Sequence, residues 1–190
     1  VRMVRNFLND HVFVTAPNRA GMSFAEVPPG TLRLGCTVGQ GEQCEDDEPV
    51  RRVELSNMIA VATTEVTQRQ WAVVMGDEPA LAQACGPDCP IENVSWRDAL
   101  DFANRLSNLE GREECYVRDG SDYRWPSGFD CTGYRLLTEA EWEYAARANT
   151  DLKFSGSSDS MDVAWTLDSS DGGPDPVATL APNAWHLHDM

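Results

Sequence analysis

The chain has 190 residues, 42% of them apolar, with 31 acidic against 15 basic side chains and a formal charge of −16. That is enough chain and enough apolar content for one globular domain with a sizeable core, while the charge repels phosphate backbones and anionic lipid and so argues against nucleic acid or a membrane surface as partner. No apolar stretch approaches the ~20 residues of a bilayer span, and the opening VRMVRNFLNDHVFV lacks the continuous hydrophobic core of a signal peptide.

The sequence begins with Val1, which reads as a processed or trimmed product whose leader or lipid anchor is out of view. Residues 1–21 read as an N-terminal extension, with the domain running over 22–190. Within it, strand-like segments come first and helix-like segments follow, the order of an α+β domain with an antiparallel sheet. Residues 22–34, MSFAEVPPGTLRL, predict two short strands around Pro28, Pro29 and Gly30, and residues 50–61 predict a further strand pair.

Three helix starts carry one local signal, a hydroxyl residue followed three positions later by an acid or amide: Thr67 with Gln70, Ser95 with Asp98, Thr138 with Glu141. Each pair predicts a capping box, in which the hydroxyl accepts from an orphan amide and the later side chain reaches back to the cap's own N–H. After Ser95, the spacing of Trp96, Ala99, Leu100, Ala103 and Leu106 predicts a buried packing helix. After Thr138, Trp142, Ala145 and Ala146 share one face, Glu143 and Arg147 are placed to pair, and Glu139 and Glu141 suit the positive helix start. By themselves these acids and tryptophans read as caps and core.

Six cysteines fall as three local pairs, Cys36 with Cys44, Cys85 with Cys89 and Cys115 with Cys131. An even count suggests disulfides, although sequence alone fixes no connectivity; buried thiols and a metal or redox use are the alternatives. The spacings do not supply the two close pairs of a zinc site. The segment CGPDC has the look of a redox loop, but a spacer holding Gly86 and Pro87 more often staples a surface turn. Disulfides place the chain in a periplasm, on a cell surface or outside the cell.

Five blocks then stand in order: EPVRRVEL at 48–55, TTEVTQRQW at 63–71, PIENVSWRDALDFANRLS at 90–107, GYRLLTEAEWEYAARA at 133–148 and PNAWHLHDM at 182–190. Together they resemble the formylglycine-generating, or sulfatase-modifying-factor, family over about residues 22–190. The resemblance implies an irregular antiparallel sheet with a few packed helices, in that family's variant of the C-type-lectin-like fold, here with the C-terminal part missing. It departs from the family at Leu137, where proline is usual, and at His186 and His188, where glycine and tyrosine are. A glycine with positive φ at position 186 would make the histidine a costly replacement.

Enzymes of this family oxidise a sulfatase cysteine to formylglycine with copper held by two cysteines in a closing section. None of the six cysteines corresponds to those two, so no catalytic residue is assigned and copper enters only if an absent part carries them. The resemblance also implies calcium, held by the Asp162 side chain, the Val163 carbonyl, the Asp171 side chain and the Gly173 carbonyl, a mixed oxygen set that suits the ion. An EF-hand reading of the same acidic loop fails, since Thr179 stands where a glutamate is required. His186, His188 and Asp189 have metal-ligand chemistry but no evident further ligand.

Two functions remain. One is a non-catalytic extracytoplasmic binding or scaffolding module with a protein or peptide ligand; the other is a fragment of a formylglycine-generating oxidase. In either case, exposed sheet edges imply that the missing C-terminal part of the domain, or a complementary chain, covers them.

Overall fold

The computed structural model describes residues 13–36, 50–77, 85–166, 169–170 and 172–190. Four of its strands are laid down as two sequential couples, β1 (Phe24–Val27) with β2 (Gly30–Leu34), then β3 (Arg51–Leu55) with β4 (Ile59–Ala62). Neither couple pairs with itself. β1 runs antiparallel to β4, Phe24 opposite Ala62 and Val27 opposite Ile59, while β2 runs antiparallel to β3, Gly30 opposite Leu55 and Leu34 opposite Arg51.

The four strands are therefore one long ribbon broken at its middle. Pro28 and Pro29 have no N–H to give to a ladder, and they stand opposite residues 56–58, one residue more, so the ribbon bends there as at a bulge. Residues before 22 join it as well: Thr15 N donates to Phe24 O at 2.8 Å and Glu26 N to Phe13 O at 2.9 Å. A separate hairpin, β5 (Val117–Asp119) and β6 (Asp122–Arg124), turns at Gly120, whose φ of +63° is what the first turn position of a type II′ hairpin wants.

All three capping boxes close, ahead of α1 (Gln68–Met75), α2 (Trp96–Leu109) and α3 (Glu139–Arg147). Asp98 does so despite its short side chain, accepting from Ser95 N at 2.8 Å. A helix start of this kind is worth about 1 kcal/mol.

Three apolar clusters make the core, and α2 serves two of them. Phe102 and Leu106 pack with Met22, Phe24 and Trp71, whereas Leu100 and Ala103 pack with Cys115 and Tyr116. Trp96 corrects the expectation of a wholly buried stripe: in the first turn, beyond the packed layer, it is 61% exposed. On α3 the buried positions are Glu141, Tyr144, Ala145 and Ala146, with the cap Ala148 buried beyond them, whereas Trp142 lies at the edge of that face and is 47% exposed. Tyr144 takes the central place, edge-on to Trp185 at 4.9 Å and directly beneath Gly30.

Disulfides join Cys85 to Cys89 and Cys115 to Cys131, and Cys36 is also disulfide-bonded; Cys44, its predicted mate, lies outside the described residues. The Cys115–Cys131 bridge closes the loop that holds β5 and β6. For a loop of this size the closure is worth about 3 kcal/mol on the chain-entropy account.

Gly133, which follows that bridge, is pressed against α2. A Cβ built there meets Glu113 O at 2.0 Å and Ser107 Oγ at 2.8 Å, and the buried Ser107 Oγ is already committed, donating to Ala103 O and accepting from Tyr134 N, both at 2.8 Å. Gly133→Ala is expected to lower stability by about 3 kcal/mol, read as a fall in the urea midpoint at unchanged slope.

Candidate functional site

Glu141 is the most elaborately held acid among the described residues. Its carboxylate accepts from Thr138 N and Oγ1 at 2.9 and 3.0 Å, and from both terminal nitrogens of Arg135 at 2.7 and 2.6 Å. Burial alone would raise its pKa, but the hydrogen bonds from Arg135 and Thr138, with the Arg135 charge, outweigh it and hold the carboxyl below the ordinary glutamate range. The Arg135 guanidinium also lies 5.3 Å from the ring centres of Trp125 and Phe129. Nearby, Glu143 and Arg147 pair as expected and reach β2's end, where Glu143 accepts from Gly35 N and Arg147 donates to Gly35 O. These acids are consumed in structure.

The expected calcium donors begin at a short 3-10 helix, Ser160–Asp162, whose cap Asp159 accepts from Met161 N at 3.0 Å. Asp162 is exposed; one carboxylate oxygen accepts from Ser157 Oγ at 2.8 Å and its carbonyl from Ala181 N at 3.1 Å. Val163 is buried, its N–H donates to Ser160 O, and its carbonyl accepts no hydrogen bond among the described residues. Gly173 lies in the exposed loop beyond, and Asp171 is outside the described residues. The second carboxylate oxygen of Asp162 and the adjacent Val163 carbonyl are thus oxygen donors of the kind calcium takes.

The last segment is organised by Asn183, a residue that sequence patterning did not single out. Its amide nitrogen donates to Ala145 O at 2.8 Å and Ala146 O at 3.2 Å, satisfying the end of α3, while its oxygen accepts from Trp185 N and Leu187 N. The tight turn this makes puts His186 at φ +60°, the left-handed conformation that a family glycine adopts freely. His188 faces Leu180 O with its ring nitrogen at 3.0 Å and donates its N–H to Thr63 O. No group of three or more His, Cys, Asp and Glu converges among the described residues, so the two histidines and Asp189 make no metal centre there.

Asp189 does meet another acid. One of its oxygens accepts from Ala178 N at 2.8 Å and the other is buried without a partner. Although much of Glu65 reaches solvent, burial of its carboxyl and, secondarily, the Asp189 charge push its pKa above the ordinary range. A cleft of about 440 Å³ is lined by Ser23, Thr63, Thr64, Thr67 and Gln70, with the exposed Arg69–Asp88 pair (3.1 Å) among its walls.

Comparison with known proteins places this architecture. Residues 10–190 match the family described as Sulfatase-modifying factor enzyme 1-like domain, and the chain belongs to that family. A "Chaperone protein LppX" of Paenibacillus barcinonensis is 34% identical over an alignment of 131 residues that covers 60% of this chain and 46% of the relative. The chain thus spans about half the length of that relative. Among solved structures, Treponema denticola variable protein 1 superimposes with a TM-score of 0.77 at 27% identity, over 93% of this chain and 72% of that one. PvdO from Pseudomonas aeruginosa does so at 0.68 and 20% identity, over 94% and 70%, which shows the shared fold alone.

Arg135→Ala leaves a buried carboxylate unpaired and is expected to cost about 3–5 kcal/mol, measured by urea unfolding at pH 7. Because the Glu141 pKa is lowered on folding, its contribution is complete above the unfolded glutamate value and is lost as pH falls through the lower folded one. The parent chain is therefore expected to lose more stability than Glu141→Gln between pH 7 and about pH 3, and equal losses would contradict the assignment.

Proposed function

We propose that this member of the sulfatase-modifying-factor family works as a non-catalytic, extracytoplasmic binding or scaffolding module. The observation that carries the reading is the state of the cysteines. Each of the five described ones is in a disulfide, whereas copper-dependent oxidation in this family needs two cysteine thiolates as ligands. These residues do not fit copper, and no chemical step is derived through it.

Three further points support the reading. Structural disulfides belong to oxidising compartments. The strongly held acids, Glu141 and Glu143, act as caps and ion-pair partners rather than as free acids or bases. A relative bears the name chaperone, which fits a polypeptide as the ligand. Calcium, in this reading, fastens the loop after the 3-10 helix through Asp162 and Val163 and leaves chemistry to no residue of the site.

The test is to offer the full-length polypeptide a sulfatase-type cysteine peptide with copper and oxygen, and to look by mass spectrometry for formylglycine. No conversion is expected; conversion would make the chain part of an oxidase whose thiolates come from outside these residues. Calcium at a hundredfold over its dissociation constant is expected to add about 2.7 kcal/mol, seen as a rise in melting temperature that chelator reverses and Asp162→Ala abolishes. A melting temperature indifferent to calcium in the parent chain would remove the ion from the account.

A further inference from the structure

Four aromatic side chains make a row of two edge-on pairs side by side along β6 and the residues after it, drawn from the first turn of α2 and from the loop closed by the Cys115–Cys131 disulfide. Trp96 meets Tyr123 edge-on at 6.4 Å between ring centres, Tyr123 and Trp125 lie two residues apart on and just after β6, and Trp125 meets Phe129 edge-on at 5.1 Å. We propose that this row is the docking surface for a basic, arginine-bearing segment of a partner polypeptide. The proposal rests on the binding-module reading and gives that module its ligand's chemistry.

The row has the physical character of an interface anchor. Its two ends are open, Trp96 61% and Phe129 59% exposed, and large aromatic surface held in water is the signature of an interaction site. Tryptophan, tyrosine and arginine are the side chains in which interface energy concentrates. The row is also rigid. Tyr123 and Trp125 rest on the buried cluster of Leu100, Ala103, Cys115 and Tyr116, and Tyr123 donates its hydroxyl to Asp101. Trp125 Nε1 is buried without a hydrogen-bond partner among the described residues. Pre-ordered rings lose little entropy when something stacks on them.

Charge selects the occupant. The chain carries −16 overall, a field that draws cationic segments and repels acidic ones. Exposed Asp98 and Asp130 are sequence neighbours of the row's rings. The arginines there are engaged: Arg97 pairs with Asp122 at 3.7 Å, Arg124 with Asp119 at 3.1 Å, and Arg118 donates to Gly120 O. The rings also already accept a guanidinium, since Arg135 lies over both Trp125 and Phe129. An incoming arginine finds the same chemistry on the exposed Trp96 end, where cation–π stacking is worth about 0.5–1 kcal/mol and about 2 when water is excluded.

The experiment titrates the full chain with a short peptide alternating arginine and glycine, and with versions carrying lysine or glutamate instead, read by calorimetry and tryptophan fluorescence. Binding is expected in the order arginine, lysine, none for glutamate. The double variant Trp96→Ala/Phe129→Ala should weaken arginine-peptide binding at least about tenfold. Trp142→Ala, an exposed tryptophan outside the row, should leave it unchanged, and Trp96→Phe/Phe129→Tyr should restore it. Equal binding by the double alanine variant, no binding by the parent chain, or no rescue by the aromatic replacements would each overturn the proposal. Failure here with no formylglycine formed sinks the docking surface alone; formylglycine formed sinks the module reading.

Discussion

The carboxylate of Glu141 is where three parts of the molecule are joined. It closes the capping box of α3, it neutralises Arg135 in a nearly dry setting, and through that arginine it reaches the rings of Trp125 and Phe129. The pair's side chains are only 4% and 13% exposed, so neither charge has water to fall back on. Such a pair contributes little net energy by itself but makes any arrangement that separates its members expensive. It therefore fixes where the disulfide-closed hairpin sits relative to α3, and α3 in turn carries Tyr144 and Ala145 into the cluster of the broken β ribbon.

What could be read from the chain divides along the range of the interactions. The capping boxes at Thr67, Ser95 and Thr138 are legible because each involves a few consecutive residues. The Glu143–Arg147 pair is legible for the same reason, and so is the positive φ at His186, through the glycine that the family places there. The disulfides Cys85–Cys89 and Cys115–Cys131 follow the local pairing of the sequence.

The non-local choices are hidden. Glu141 looks fully employed as a cap, so nothing in its neighbourhood announces that Arg135, six positions back, also needs it. Asn183 has no period or motif, yet it ties α3's end to the turn that seats Trp185 and Leu187. Trp96 and Trp142 read as core because tryptophan usually is, but a helix nine or fourteen residues long has only so many inward places, and Tyr144 and Leu100 occupy them. The partner exchange among the four strands depends on where two prolines interrupt a ladder, a geometric fact that strand propensity does not encode. Of the implied calcium donors, Asp162 and Val163 stand together while Asp171 is outside the described residues.

Function follows the same division, because the family's fold is present and Glu141 and Glu143 are spent on holding it. What faces water instead is an aromatic row on an acidic protein, braced by the Arg135–Glu141 pair. The central claim is that this pair couples α3 to the hairpin. Residue-resolved amide hydrogen exchange of Arg135→Ala against the parent chain tests it most directly: protection should fall together in α3 and in residues 117–124 while α1 keeps its own. Loss confined to α3, with the hairpin as protected as before, would contradict the account.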